Sequence, residues 1–293
     1  MTHIPFDFPP ITGSLDQPRW DGLQFTISGH TLPILEYSEN FIGWSDDLTA
    51  LHEESVSDNH PLDIASRKNA INQVKHFSVS QSSVIMEIGC SSGFLIKDLV
   101  KAFPSSLVIG VDVVKKPLYK LAVDLPGIPL IRFDLLRCPL PDKIIDVLIM
   151  LNVLEHINND VSALENAFAL LKPGGILIIE VPAGPFLYDK YDSELYHFRR
   201  YSAHQLKHKL IEVGFEVVMI SHLGFVLYPA FVVIKLLNKW LPANRKVSVV
   251  RDQASKTQKN LLVKWAIDFE SKYFANVSLP WGIRVLSVVR RPY

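Results

Sequence analysis

The stretch Val84–Leu95 combines an acid with two glycines at a spacing that suits the binding of a cofactor. An apolar run leads to Glu87, and Gly89 and Gly93 follow before a second apolar run begins. The pattern predicts a buried strand, a tight turn and the first turn of a helix, because glycine permits positive φ and a close approach of ligand to backbone. The amides at the start of such a helix point at the ligand. An acid two residues before the first glycine suits a ligand with an ammonium group, whereas the dinucleotide fingerprint has a different glycine spacing. We therefore predict a nucleotide-like cofactor.

Acidic side chains end the next two predicted strands. The run Leu107–Asp112 predicts a second strand that ends in an acid, and Ile131–Leu135 predicts a third strand with Asp134 near its end. A carboxylate at the end of the second strand can accept both hydroxyls of a ribose. Apolar runs at 144–150 and 176–182 predict a fourth and a fifth strand. Since these strands alternate with helical stretches, we expect a parallel sheet that is covered on both faces.

Taken in order, these segments resemble the class I S-adenosylmethionine-dependent methyltransferases. The stretch 87–93 resembles the first motif of that class, with Ser91 at the place of its middle glycine, and Leu154–Ile157 resembles the segment after its fourth strand. The resemblance covers residues 60–293. It implies a Rossmann-like, doubly wound α/β fold with a seven-stranded sheet whose last strand is antiparallel.

The resemblance also implies S-adenosylmethionine as the cofactor. It places Asp112 at the ribose hydroxyls, Asp134 beside the adenine amino group, and the backbone of Asn152 against the cofactor. The residues that it assigns to cofactor binding are Glu87, Gly89, Cys90, Gly93, Asp112, Val113, Asp134, Leu135 and Asn152.

The segment after the predicted fourth strand raises the question of a metal. Some O-methyltransferases of this class have a Glu-x-x-Glu-His pattern there that supplies metal ligands. This chain retains Glu155 and His156 but has Asn152 at the first glutamate position. Because magnesium prefers hard oxygen ligands, we expect no metal site and a structural role for His156.

The segment Tyr196–Tyr201 follows the fifth strand and is the candidate for contact with the methyl acceptor. His197 suits a general base, because the ordinary pKa of histidine is about 6.5. Tyr201 is the second catalytic candidate. The two arginines of the segment would either hold a carboxylate or phosphate of the acceptor, or pair with an acid at 189–194 and order the loop.

Composition limits the class of partner. The chain of 293 residues has 30 basic and 30 acidic side chains, so no net charge attracts nucleic acid, and we expect no nucleic-acid partner. Its two cysteines are too few for a disulfide framework. The start of the sequence lacks the layout of a secretory signal, so we expect a cytoplasmic location.

The chain outside the predicted sheet forms two further regions. Residues 1–59 are expected to form an N-terminal arm with a short hairpin, packed on the domain formed by 60–293. That arm is either a lid over the acceptor or a packing extension. About 223–280 we expect a helical insertion between strands six and seven, with the uncharged run Leu223–Ile234 and an aromatic stripe packed together as a cap. The apolar run is too short to span a bilayer, which needs about 20 residues, so membrane contact would be interfacial and peripheral.

These observations lead to one functional hypothesis and two alternatives. We expect S-adenosylmethionine-dependent methyl transfer to a small or lipid-linked metabolite, with oxygen as the accepting atom. A C- or N-methyltransferase is the first alternative. The second is a protein of the same fold that binds the cofactor and acts as a scaffold. The sequence leaves the oligomeric state open.

Overall fold

Eight strands form the central sheet of the protein, and six of them run parallel, so that their carboxyl ends lie at one edge. The computed structural model describes residues 4–11, 13–37, 60–77, 82–240, 260–274 and 277–293. The described strands are β1 (Arg19–Trp20), β2 (Phe25–Ile27), β3 (His30–Leu32), β4 (Leu35–Glu36), β5 (Val84–Ile88), β6 (Leu107–Asp112), β7 (Leu130–Arg132), β8 (Ile145–Leu151), β9 (Leu171–Pro182), β10 (Glu216–Leu223) and β11 (Arg284–Arg290). The described α-helices are α1 (Pro61–Phe77), α2 (Phe94–Ala102), α3 (Lys115–Asp124), α4 (Asp160–Leu170), α5 (Lys190–Glu194), α6 (Ala203–Val213), α7 (Tyr228–Trp240) and α8 (Leu261–Tyr273).

The order of the strands confirms the predicted doubly wound sheet. Across the sheet the order is β10-β11-β9-β8-β5-β6-β7-β4. Strands β4 to β9 run parallel, and β11 lies antiparallel between β9 and β10. The chain crosses from β7 back over the sheet to β8, so the order reverses beside β5. Ligands of open α/β sheets bind at such a reversal, beyond the carboxyl ends of the strands.

The sheet has one strand more than the predicted seven. The additional strand β4 comes from the N-terminal arm, where Leu35 pairs with Ile131 and Glu36 pairs with Arg132. A pattern of two residues is too short to indicate a strand from the sequence. The pairing of β4 with β7 depends instead on contacts between distant parts of the chain.

Buried strands with apolar side chains on both faces explain why the sheet is covered on both sides. Successive residues of β5 enter opposite clusters: Met86 packs with Leu148 on one face, and Ile85 packs with Ile149 on the other. This alternation, with no polar face, is typical of a parallel sheet between two helical layers.

The described part of the arm packs on the first of these clusters. Phe8, Phe25 and Leu35 are buried there. Strands β1, β2 and β3 form a three-stranded antiparallel sheet, which is one strand more than the predicted hairpin. The remainder of the arm, 38–59, lies outside the described residues, and with it any lid that it forms.

Helix α6 follows its sequence signals. The Ser202 side chain accepts the N–H of Gln205, the Gln205 side chain accepts the N–H of Ser202, and Gly214 ends the helix at φ 109°. This capping box and left-handed stop confirm the predicted helix that leads into β10.

The insertion between β10 and β11 contains α7 and α8, but the aromatic stripe is not the buried face of a cap. The exposed fractions of Leu261, Trp265, Phe269 and Tyr273 are 81%, 62%, 36% and 59%. The opposite face of α8 carries Ile267, which packs with Leu62 of α1 in a small apolar cluster. The expectation that the stripe packs together with the run Leu223–Ile234 is therefore wrong, because α8 packs in this cluster through its other face.

The ends of the two inserted helices are nevertheless connected. The carboxylate of Glu270 on α8 accepts the N–H groups of Gly224 and Val226 ahead of α7, at 2.8 and 3.0 Å. None of the described helices combines the length and apolar character that crossing a bilayer requires.

Candidate active site at the carboxyl edge of the sheet

The glycine turn after β5 has the backbone shape that the sequence predicts. Gly89 and Gly93 adopt φ of +79° and +72°, and Ser91 between them has φ 44°. A Cβ on Gly89 would lie 2.4 Å from Cγ2 of Val153, in the segment after β8. The turn therefore lies directly against the segment that follows the fourth strand of the domain.

Glu87 presents a buried carboxylate beside this turn. Its side chain is 5% exposed, and its Oε2 has no hydrogen-bond partner among the described residues. Burial, followed by repulsion from Asp112, raises the pKa of Glu87 well above its usual value. A buried carboxylate without a partner costs free energy unless a cation binds beside it. The ammonium group of S-adenosylmethionine fits this requirement.

Asp112, the last residue of β6, is held in a fixed orientation by two backbone amides. Its Oδ2 accepts the N–H of Ser91 at 2.8 Å, and its Oδ1 accepts the N–H of Val114 at 2.9 Å. Each carboxylate oxygen retains further capacity to accept a hydrogen bond. The geometry therefore suits an acid that is oriented to accept the hydroxyls of a ribose.

The remaining predicted cofactor residues lie at the ends of the neighbouring strands. Asp134 follows β7, and its Oδ1 accepts the N–H of Leu136, which begins a short 3-10 helix at Leu135. Asn152 follows β8 with φ 54°, a conformation that asparagine tolerates better than most side chains, and its N–H donates to the Glu180 carbonyl at 2.9 Å. Val113 follows β6, and its carbonyl accepts Nε–H of the buried Arg132 at 3.0 Å.

Cys90 lies inside the turn as a buried side chain. It is 4% exposed, and burial raises the pKa of its thiol well above the usual value. A thiol of this kind packs as a small apolar group, so a role of Cys90 toward the cofactor falls to its backbone.

Beyond this turn, three side chains converge on one point. Ligating atoms of Glu155, His156 and His197 all lie within 4.8 Å of one another, and the two imidazole rings meet edge to face at 4.6 Å. The Phe198 N–H donates to the Glu155 carbonyl at 2.8 Å, which joins the segment after β9 to the segment after β8. Burial raises the pKa of Glu155 to about 8.

A charged network behind this cluster orients His197. The Nδ1 of His197 lies 3.0 Å from Oδ1 of Asp192, which also accepts Nε–H of Arg200 at 2.8 Å. Lys235 of α7 donates to Asp192 at 3.1 Å and to Asp189 at 2.6 Å. Although burial alone would raise the pKa of Asp192, the bonds from His197 and Arg200 hold it far below its usual range. A carboxylate at Nδ1 leaves the Nε2 lone pair of His197 for another partner.

The position of Tyr201 corrects one prediction of the sequence. Its side chain is 1% exposed in the apolar core, and its hydroxyl donates to Asp160 Oδ2 at 2.9 Å. Burial and the neighbouring Asp160 carboxylate raise the pKa of Tyr201 far above its usual value. The Tyr201 side chain therefore packs in the core and bonds Asp160, which favours a structural role over the predicted catalytic one.

The two arginines of the segment order the loop. Arg199 pairs with Asp160 at 2.8 Å and donates to the Asn158 carbonyl at 2.7 Å. Arg200 is buried and pairs with Asp192. Of the two roles considered from the sequence, the structure shows the pairing with acidic residues of the chain.

Sequence reasoning missed the role of Lys235. This lysine is 2% exposed and connects the inserted helix α7 to the loop that carries His197. The sequence feature that could have indicated this role is the position of Lys235 directly after the uncharged stretch 223–234.

Comparisons with known proteins agree with this geometry. A family model described as a methyltransferase domain matches residues 86–179. A protein of Mycolicibacterium smegmatis named "Probable S-adenosylmethionine-dependent methyltransferase" is 28% identical over 138 residues, which are 45% of this chain and 52% of that protein. The tRNA U34 carboxymethyltransferase of Desulfotalea psychrophila is 28% identical over 116 residues, 38% of this chain and 36% of that enzyme. The chain thus spans about half the length, or less, of these relatives.

A solved structure supports the fold. Phosphoethanolamine N-methyltransferase 2 of Haemonchus contortus, in complex with S-adenosyl-L-methionine, superposes with a TM-score of 0.55 at 14% identity. The match covers 84% of this chain and 57% of that chain. The residues that the family model matches, 86–179, include the glycine turn, Asp112 and Asp134. The chain therefore contains, over residues 86–179, a methyltransferase domain that is similar to those of S-adenosylmethionine-dependent methyltransferases.

Proposed function

We propose that this protein transfers the methyl group of S-adenosylmethionine to an oxygen of a small or lipid-linked metabolite. One observation carries the proposal: the glycine turn lies beside Glu87, whose Oε2 has no hydrogen-bond partner among the described residues, and in contact range of Val153, two residues before the cluster that includes His197. A cofactor site and a set of polar side chains for an acceptor thus share one edge of the sheet. A protein that only bound the cofactor would have no need for the second set.

Different residues of the chain would bind different parts of the cofactor and the acceptor. Glu87 would bind the ammonium group, Asp112 the ribose and Asp134 the adenine, while the backbones of the turn and of Asn152 would line the cofactor. The bound cofactor supplies an electrophilic methyl group on a sulfonium. His197, oriented by Asp192, would contact the accepting hydroxyl through Nε2. Holding the reactants in line and excluding water accounts for much of the rate enhancement in such a displacement.

The choice of oxygen as the accepting atom follows from the chemistry of the cluster. A neutral hydroxyl must lose its proton during transfer, and a carboxylate and two imidazoles are groups that handle a proton or polarise an O–H. Transfer to carbon or nitrogen is the alternative outcome of the acceptor screen below. A nucleic acid is a further outcome, because one relative is named for tRNA, although the formal net charge of zero does not favour a polyanion.

The exposed apolar faces of α7 and α8 support a lipid-linked acceptor. Val233 and Leu237 of α7 are 57% and 58% exposed, and the rings of Trp265 and Phe269 on α8 stack at 5.4 Å on the outer surface. Lys235 joins α7 to Asp189 and Asp192 in the segment before His197, which supports a position of α7 near the proposed acceptor. Aromatic and aliphatic faces of this kind bind at the interface of a bilayer without crossing it.

Flotation with anionic vesicles tests the lipid-linked form of the acceptor. We expect wild-type protein to float with the vesicles, and Trp265→Ser combined with Leu237→Ser to remain at the bottom with its fold intact. Lys264→Ser on α8 is the matched control for a change on an exposed face. Wild-type protein that stays at the bottom, or a double variant that still floats, would refute a membrane role and leave a small diffusible acceptor.

Methyl transfer itself is tested with methyl-labelled S-adenosylmethionine and a panel of acceptors. The panel contains hydroxylated small molecules, polyprenyl-linked and fatty alcohols, amines and bulk tRNA. We expect label in the hydroxylated molecules with wild-type protein, and loss of label with Asp112→Ala. Label confined to amines, to carbon or to tRNA would overturn the O-methyl assignment. Absence of transfer to every class, with the cofactor bound, would favour the scaffold alternative.

A further inference from the structure

In the cluster of Glu155, His156 and His197, the carboxyl group of Glu155 is buried without a hydrogen-bond partner among the described residues. The Glu155 side chain is fully buried, and neither Oε1 nor Oε2 has a hydrogen-bond partner among the described residues. Two imidazole rings have nitrogen atoms within 4.8 Å of that carboxylate and of each other. A buried carboxyl group with neither oxygen bonded is costly in a folded protein, so this position calls for a positively charged partner.

We propose that these three side chains form a binding site for one divalent transition-metal ion. Two imidazoles and one carboxylate form a set of three protein ligands that leaves positions open for water or a substrate oxygen. Nitrogen ligands favour zinc, iron, cobalt or nickel, whereas magnesium and calcium favour oxygen. The site would therefore favour a transition metal over magnesium.

The surroundings of His197 are those of a metal ligand. Metal-bound histidine commonly donates its other ring N–H to a carboxylate, which fixes the tautomer and the orientation of the ring. Here Asp192 lies 3.0 Å from Nδ1 of His197, and it is itself held by Arg200 and by Lys235. The Nε2 of His197 is thereby left for the ion.

The backbone fixes the distance between the two parts of the site. Glu155 and His156 lie in a short 3-10 helix, Leu154–His156, and the bond from the Phe198 N–H to the Glu155 carbonyl brings the neighbouring His197 alongside. The segment after the fourth strand alone supplies only Glu155 and His156, too few for the metal site considered from the sequence. The third ligand comes from the segment after the fifth strand, and only the fold brings it to the site.

The role of the ion deepens the proposed function and rests on it. An ion with open positions would bind the hydroxyl of the acceptor and lower the pKa of that hydroxyl, so that the proton leaves to solvent water before the oxygen attacks. His197 would then support transfer as a ligand of the ion. Binding of the ion itself does not depend on methyl transfer and is measured without it.

Titration with Co²⁺ tests the site, because its visible absorption reports nitrogen and oxygen coordination. We expect wild-type protein, stripped of metal by a chelator, to bind about one Co²⁺ per chain with new absorption bands. Glu155→Gln and His197→Asn should weaken binding by more than 100-fold, and Asp192→Asn should weaken it by about 10- to 100-fold. His204→Ala, on the exposed start of α6, is the control and should bind as the wild type does.

Titration of each variant with S-adenosylmethionine shows whether its fold is intact. A stripped wild-type protein that binds the cofactor but binds no Co²⁺ would overturn the metal site and leave the proposed function standing. Co²⁺ binding that is equally tight in Glu155→Gln and His197→Asn would also overturn it. Wild-type protein that binds Co²⁺ but not S-adenosylmethionine would leave the metal site standing and refute the proposed function.

Discussion

The glycine turn after β5 restricts Gly89 in two ways, through its backbone conformation and through the space beside its Cα, and replacement by alanine tests both. The new Cβ would lie 2.4 Å from Cγ2 of Val153, far inside the ordinary contact distance, and φ is +79°. A left-handed conformation costs a non-glycine residue about 1–2 kcal/mol, and crowding of a packed site costs a further 1–3 kcal/mol or so. We therefore expect Gly89→Ala to lower the free energy of unfolding by about 2–5 kcal/mol.

The chain offers a matched control for the conformational part. Gly29, in the turn between β2 and β3, has φ +80°, and a Cβ there would meet nothing within 4 Å. Gly29→Ala should therefore show only the loss of about 1–2 kcal/mol that positive φ causes. Truncation of the crowding side chain in Gly89→Ala/Val153→Ala should recover the steric part, which gives a coupling energy of about 1–3 kcal/mol in a double-mutant cycle.

Urea unfolding of Gly89→Ala, Val153→Ala, their double variant and Gly29→Ala provides one readout, and titration with S-adenosylmethionine provides the other. We expect weakened cofactor binding in Gly89→Ala, partial recovery in the double variant, and unchanged binding in Gly29→Ala. Equal losses of stability at Gly89 and Gly29, with no coupling to Val153, would refute the close contact between the turn and the segment after β8. Unchanged cofactor binding in a folded Gly89→Ala protein would refute the placement of the cofactor at this turn.

Three further predictions follow from charged groups. Lys235→Met should lower the free energy of unfolding by about 3–5 kcal/mol, because the buried side chains of two aspartates lose a cation. Lys264→Met, on an exposed face, should change the free energy of unfolding by less than about 0.5 kcal/mol. Urea unfolding measures both. Burial would raise the pKa of Asp63, but Arg284 holds this pKa below its usual value of 3.8. The Asp63 carboxylate therefore contributes its full stabilisation above pH 3.8, and the stabilisation is lost as the pH falls further. In unfolding experiments across acidic pH, Asp63→Asn should not show this loss of stability. Burial raises the pKa of Glu87 above 4.5. The affinity for the cationic cofactor should therefore rise with pH above that value, as the carboxyl group ionises. In Glu87→Gln, calorimetry should show an affinity that does not change with pH.

Much of the fold could be predicted because its signals are local. Apolar runs that end in acids, the glycine spacing after β5 and the capping box before α6 each follow from steric and hydrogen-bonding preferences of neighbouring residues. The two-residue strand β4 could not be predicted, since its pairing with β7 depends on a distant part of the chain. The packing of the aromatic stripe of α8 could not be predicted from the sequence either. Its period predicts a helix, but the stripe does not reveal which face contacts α1.

The positions of the strand-end acids could be predicted from the sequence, whereas the surroundings of His197 could not, for a physical reason. Glu87, Asp112 and Asp134 sit at strand ends, and parallel strands place such residues on one edge whatever the loops do. His197 and Lys235 depend on the paths of a loop and an inserted helix, so their meeting at Asp192 has no local signal. Tyr201 lies four residues from His197 and yet its side chain enters the core, because the chain there pairs with the end of β9.

Calorimetric titration with S-adenosylmethionine tests the central claim most directly, with Asp112→Ala and Asp124→Ala as the matched pair of aspartate variants. Asp112 is buried at the strand edge, whereas Asp124 is exposed at the end of α3. We predict that wild-type protein and Asp124→Ala bind one cofactor per chain with equal affinity. Asp112→Ala should bind about 30- to 150-fold more weakly, the equivalent of about 2–3 kcal/mol of charge-assisted hydrogen bonds. Equal affinity in a folded Asp112→Ala protein, or no binding by the wild type, would contradict a cofactor site at the carboxyl edge of this sheet.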